Sequence, residues 1–210
     1  MAYRTWIFDL DNTLYPARLG LVEQINQRMT DWVMRELGLD RQGADTYRAR
    51  TWREYGITLR GLIAEHGTDA AGFLHETHHI DYSRLAPAPR LAEAVTRLPG
   101  RKIVHTNGAR AHAERVLART GLAAHIDALW AIEDADLIPK PLPEATARIL
   151  IGLKIDPQTA IMLDDSPANL AAAKDAGITT VWMTRDRTEA APHIDHKAGN
   201  PVNFLAGFIS

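Results

Sequence analysis

Residues 5–13, Thr-Trp-Ile-Phe-Asp-Leu-Asp-Asn-Thr, begin as a short apolar run and end on polar, turn-forming side chains. That order reads as a strand buried on both faces that empties into a loop. Asp9 and Asp11 then stand at the strand's C-terminal end, and Leu10 between them can turn into the core. Alone the pattern is ambiguous, because an Asp-Asn turn after a strand has the same sequence.

Comparable apolar runs recur at residues 102–106, 127–132, 160–163 and 179–183, and helical patterns separate them. Such alternation predicts an α/β fold with a doubly wound, Rossmann-like parallel sheet. Between the first two runs the spacing is too long, since roughly 90 residues intervene where a crossover needs about a dozen or more. Within that interval Val22, Ile25, Met29, Trp32, Val33 and Leu37 repeat at helical spacing, and Leu59, Leu62 and Ile63 follow after Gly56. Residues 16–86 therefore read as an inserted helical cap, with Pro87 and Pro89 marking the return to a core made of residues 1–15 and 87–210. The path after Ala190 is not readable from pattern.

Composition narrows the function classes. The chain has 210 residues, 46% hydrophobic and 24% charged, with 24 Lys+Arg against 26 Asp+Glu. A net charge of -2 provides no long-range field to gather a nucleic acid polymer or an anionic membrane, so an anionic ligand must be caught by a local site. Zero cysteines exclude a disulfide framework and a thiolate metal site, and fit a reducing compartment. No apolar stretch approaches the roughly 18 residues of a membrane span, and the N-terminus lacks the pattern of a signal peptide. The expectation is a cytoplasmic protein.

Three further segments bear on the two carboxylates. His105-Thr106-Asn107-Gly108 ends the second apolar run just before a helical segment, where a hydroxyl and backbone N–H groups can bind phosphate oxygens. A plain strand-to-helix turn reads the same way. Pro139-Lys140-Pro141 restrains a single lysine between prolines, although a surface turn would also carry it. Residues 161–166, Ile-Met-Leu-Asp-Asp-Ser, end an apolar strand in two acids, a hard-oxygen set that suits Mg²⁺ or the acidic start of a helix. Four strand ends carrying Asp-x-Asp, Thr, Lys and Asp-Asp in this order suggest one site, since ligands bind at the carboxyl ends of such sheets.

These segments resemble, in order, the four motifs of the haloacid dehalogenase-like superfamily of phosphohydrolases. The resemblance implies that Asp9 forms an aspartyl-phosphate and that Asp11 protonates the leaving group and later activates water. It implies that Thr106, Asn107 and Lys140 hold the phosphoryl oxygens. Mg²⁺ would be bound by Asp9, the backbone carbonyl of Asp11 and Asp165, with Asp164 acting through a water. Asp11 argues against the dehalogenase branch, which lacks an acid at that position and needs no metal.

In the cap, residues 52–62 and Leu14-Tyr15-Pro16 resemble the pyrimidine 5′-nucleotidase branch, where a Tyr-Gly-x-x-x-Arg-Gly stretch occurs. This implies that Tyr55 and Arg60 read a nucleoside monophosphate, while the same residues could serve only to pack the cap. A phosphatase or phosphomutase for a small sugar or acid phosphate would carry the same core motifs. A phospho-acceptor signalling domain also combines acids, Thr and Lys around Mg²⁺, but the second acid and the large insertion favour turnover. Residues 75–79, His-Glu-Thr-His-His, match a zinc-protease pattern without a suitable third ligand and read as a solvated helix. His105 reads as a strand-end core residue.

Overall fold

The computed structural model describes residues 3–186, 188 and 191–209. The chain divides into two compact units, Met1–Ala17 with Leu85–Ser210, and Arg18–Arg84.

The larger unit is built on a parallel sheet. In chain order it contains β1 (Thr5–Phe8), then β2 (Arg101–His105), β3 (Ala128–Trp130), β4 (Ala160–Asp164), β5 (Thr179–Met183) and β6 (His196–Ala198). Their order across the sheet is β3-β2-β1-β4-β5-β6, with every neighbouring pair parallel. The doubly wound reading therefore holds, and β1 lies at the point where strand order reverses. All four β1 residues are buried, as a strand covered on both faces requires.

Register explains the core. Ile7 pairs with Ile103 on one side and Met162 on the other, and these three share a face. Ile149, Leu170 and Ala173 pack there from the helices Pro143–Gly152 and Pro167–Asp175. Trp6 alternates to the opposite face, where its ring lies 5.2 Å from Phe208 and its indole N–H donates to the Pro99 carbonyl at 2.9 Å. The chain's C-terminal turn thus closes over the side of β1 that those helices do not cover.

The structure departs from the pattern reading at β6, at the third strand and at Lys140. β6 was not anticipated, because its three residues, His-Lys-Ala, carry no apolar signal. Asp195 just before it accepts from the Thr180 backbone N–H at 2.9 Å and from Lys174 at 2.5 Å, which fixes the segment through polar bonds. The third strand is also shorter than the run 127–132, and Lys140 stands in the loop beyond it rather than at a strand end.

The smaller unit is all helical: α1 (Leu21–Leu37), α2 (Arg41–Tyr55), α3 (Thr58–His66) and α4 (Ala70–Thr77). Leu21, Ile25 and Val33 of α1 are buried, together with Leu59, Leu62 and Phe73. Asp40 and Asp69 cap α2 and α4 by accepting backbone N–H groups. Gly61 lets α3 approach α2 closely, since a Cβ there would lie 2.4 Å from Thr51 Cγ2. Among the described residues no helix is long and apolar enough to cross a membrane.

Candidate active site

The carboxyl ends of β1, β2 and β4 converge on a cluster of acids around one buried lysine. The Asp9 backbone N–H continues the ladder to the Leu163 carbonyl at 2.8 Å, which aims its side chain out of the sheet end. Leu10 is fully buried, and Asn12 takes a left-handed conformation with φ 64°, turning the chain sharply after Asp11. Lys140 reaches the same point from the loop after β3. Its Nζ donates to Asp9 Oδ1, Asp164 Oδ2 and the His105 carbonyl, each at 2.8 Å, which engages all three of its N–H bonds. The loop is pinned from below, because Asn107 exchanges two 2.8 Å bonds with the Lys140 backbone N–H and carbonyl. Asn107's side-chain amide is thereby committed to the lysine loop, leaving its main chain for any other partner.

Burial sets the electrostatics. Asp9 is only 6% exposed, and burial pushes its pKa well above the ordinary carboxylate range, opposed by Lys140 and reinforced by Asp164, Asp11 and Asp165. Lys140 is 3% exposed, and burial would lower its pKa, yet Asp164 and Asp9 outweigh that and hold it above the ordinary value. Asp165 is likewise raised by burial and by its neighbour Asp164. His105 is held well below the usual histidine range by burial and then by Lys140, so it is a neutral core residue whose carbonyl serves the site.

The remaining acids and the threonine complete the arrangement. Asp164 is fully saturated: Oδ1 accepts from the Ser166 backbone N–H and the Asn169 amide at 2.9 Å, while Oδ2 takes Lys140 and Asn169. Asp9 Oδ2, by contrast, is buried with no hydrogen-bond partner. Asp9, Asp164 and Asp165 each offer an oxygen within 4.8 Å of the others. An orphaned buried carboxylate oxygen beside two further acids, balanced by one ammonium, fits a divalent cation with oxygen preference. Asp164 is already satisfied by its protein partners, whereas Asp9 Oδ2 has none. The Thr106 hydroxyl accepts from the Gly108 N–H at 2.9 Å and lies 3.5 Å from Asp11 Oδ2.

Asp11 has two neighbours that pattern reading missed. The Tyr15 hydroxyl donates to its Oδ1, and His112 Nε2 lies 2.8 Å from the same oxygen. His112 belongs to the helix Arg110–Thr120, where Ala113, Val116, Leu117 and Thr120 are also buried. A histidine on the buried stripe of the helix that follows the Thr106 turn was the available signal.

In the helical unit, Tyr55 and Arg60 do meet, but through internal bonds. The Tyr55 hydroxyl donates to Glu65 Oε1 at 3.1 Å, and Arg60 donates to the Tyr55 carbonyl at 3.1 Å, closing the end of α2. Arg50 grips the same Glu65 through two bonds, at 2.7 Å and 2.6 Å. Among the described residues the His75–His79 segment enters no group of three potential metal ligands. His78 Nδ1 is engaged with the Leu74 carbonyl at 2.9 Å, and Glu76 pairs with Arg35. The acid cluster in the larger unit is the sole grouping of three potential metal ligands among the described residues.

Known proteins resemble this chain along most of its length. The chain is 27% identical over 195 residues to validoxylamine A 7′-phosphate phosphatase of Streptomyces hygroscopicus subsp. limoneus, covering 87% of this chain and 86% of that protein. It is 28% identical to a phosphoglycolate phosphatase of Rhodospirillum rubrum, covering 85% of this chain and 78% of that one. Its fold matches the HAD-hydrolase YfnB of Bacillus subtilis, whose structure was solved bound to magnesium, with TM-score 0.62, 16% identity and 99% of each chain covered. The family model for haloacid dehalogenase-like hydrolases matches residues 3–177, and the chain belongs to that family.

Proposed function

We propose that this chain is a magnesium-dependent phosphomonoester hydrolase that works through an aspartyl-phosphate on Asp9. The observation that carries the reading is the asymmetry of Asp9: Oδ1 is held by Lys140 at 2.8 Å while Oδ2 is buried without a partner. One oxygen is anchored and the other is left for a ligand. Bound Mg²⁺, held by Asp9, the Asp11 carbonyl and Asp165, would neutralise the repulsion between the carboxylates and the phosphate they must meet. Asp9 attacks phosphorus, and Asp11 gives a proton to the leaving oxygen and then takes one from water. The Thr106 hydroxyl and the main chain at Asn107 hold phosphoryl oxygens. Lys140 acts on the same oxygens by charge, because its N–H bonds are already directed at Asp9, Asp164 and His105.

The substrate is a small phosphorylated molecule, and the finer reading is a pyrimidine nucleoside 5′-monophosphate. Its support is the likeness of residues 14–16 and 52–62 to the nucleotidase branch, with Tyr55 and Arg60 as the candidate specificity residues. A second reading, a sugar or small acid phosphate, is favoured by the similarity to phosphatases of validoxylamine A 7′-phosphate and phosphoglycolate. A panel of phosphate esters assayed with Mg²⁺ separates them. Turnover of UMP and CMP far above hexose phosphates and phosphoglycolate supports the nucleotide; the reverse ranking selects the second reading. Asp9→Asn should abolish Mg²⁺-dependent phosphate release with an unchanged circular dichroism spectrum, and activity near wild type would end the aspartyl-phosphate mechanism.

A further inference from the structure

Asp11 does not stand alone at the site; one of its oxygens is captured from the protein side. Tyr15 and His112 both meet Oδ1, and they are only 3% and 1% exposed. Directing a buried phenol and a buried imidazole at one oxygen fixes the carboxyl plane far more tightly than packing would. The other oxygen faces the opposite way, 3.5 Å from the Thr106 hydroxyl. Gly108 leaves room for this arrangement, since a Cβ there would lie 3.2 Å from His112 Cδ2, 3.2 Å from Thr106 Oγ1 and 3.4 Å from Asp11 Oδ2.

We propose that Tyr15 and His112 are positioning residues that together hold Oδ1 of Asp11, so that Oδ2 is the oxygen that exchanges the proton with substrate and water. The assignment rests on the acid/base role given to Asp11 above. In the first half-reaction the Asp9 carboxylate forms a bond to phosphorus, and the ester P–O bond breaks with its electron pair. The proton on Asp11 Oδ2 goes to the leaving oxygen. In the second, water bonds to phosphorus, the Asp9–phosphorus bond returns its pair to the carboxylate, and the proton from water goes to Oδ2. Tyr15 and His112 gain and lose no proton in either half.

The test exploits leaving groups. p-Nitrophenolate departs without protonation, whereas the alkoxides of UMP and 2-phosphoglycolate need a proton as they leave. Tyr15→Phe and His112→Leu remove the contacts to Oδ1, and His112→Gln restores an N–H close to the position of Nε2. In the first two variants, turnover of the better of the two alkyl esters should fall on the order of 100-fold, with KM within about threefold of wild type. Rapid mixing with p-nitrophenyl phosphate should give a nitrophenolate burst within about threefold of the wild-type rate, followed by slowed steady turnover, because only the later water step needs Asp11. His112→Gln should recover about tenfold of the loss.

The assignment is overturned if both variants turn over the alkyl ester within about threefold of wild type, or if the burst slows by the same factor as alkyl turnover. If His112→Leu does not fold by circular dichroism, Tyr15→Phe and His112→Gln make the same comparison. A wild-type protein that releases phosphate from no ester defeats the phosphohydrolase reading itself, which is a different result from normal activity that ignores these side chains.

Discussion

Replacing Lys140 by Met keeps the length and apolar stem of the side chain while deleting the ammonium that serves Asp9 and Asp164. Both acids are buried, at 6% and 0% exposure, so each loses its counter-charge where water cannot substitute. Breaking a buried pair by removing one partner costs about 3–5 kcal/mol. For a chain of this size each kcal/mol moves the melting temperature by about 2–4 °C, giving about 6–20 °C in total. Asp164 retains the Ser166 N–H and the Asn169 amide, so most of the loss falls on Asp9 and the lower half of that range is expected.

The pH dependence has a definite sign. Lys140 holds the Asp9 pKa down, so its removal raises that pKa further above the unfolded value near 3.8. A raised carboxyl binds its proton more tightly in the folded state, which favours folding below the unfolded pKa and loses that advantage as pH rises through the folded one. The deficit of Lys140→Met should therefore shrink as the solution is acidified. Thermal melts monitored by circular dichroism with chelator, across neutral to acidic pH, measure this directly. Excess Mg²⁺ at about 100 times its Kd should return about 2.7 kcal/mol, while turnover stays down on the order of 10³-fold. Combining the change with Asp164→Asn should cost less than the sum of the two, by about 0.5–3 kcal/mol. A metal-free melting temperature within about 2 °C of wild type near neutral pH, with turnover also preserved, would refute the view that this lysine neutralises the buried acids.

Gly61→Ala places a Cβ 2.4 Å from Thr51 Cγ2, a contact that must force α2 and α3 apart. The helical unit should lose about 1–3 kcal/mol, read by amide hydrogen exchange in residues 41–66, with protection unchanged in β1 and β4. Glu65, held by Arg50 and then Tyr55, has its carboxyl lowered from 4.5 to about 2, so its contribution is present above 4.5 and fades as pH falls toward about 2. Glu65→Gln should remove that acid sensitivity from the α2–α3 joint in exchange measurements, and an unchanged pH profile would sink the assignment.

Legibility from sequence followed the nature of the force involved. Hydrophobic pattern is local, so the runs that became β1, β2, β4 and β5 could be read directly, and the long interval after β1 exposed the insertion. β6 escaped because Asp195 and Thr180 hold it by polar bonds between residues far apart in sequence, which leave no periodic trace. Lys140 was recognisable from its prolines, yet its place depends on the reciprocal bonds with Asn107.

By itself the sequence determined the sheet class, the order in which acids, threonine and lysine arrive, and the residue types gathered for phosphate chemistry. Only the tertiary structure decided how those groups are partnered. Which Asp9 oxygen is anchored and which is open, why Asp164 is saturated, and that His112 and Tyr15 share an oxygen of Asp11 all follow from distances across the sheet end. Tyr55 and Arg60 make the same point from the other unit, where a recognisable segment proved to form the joint between α2 and α3. Residue type limits what a side chain can do, whereas its role depends on partners that folding brings from distant parts of the chain.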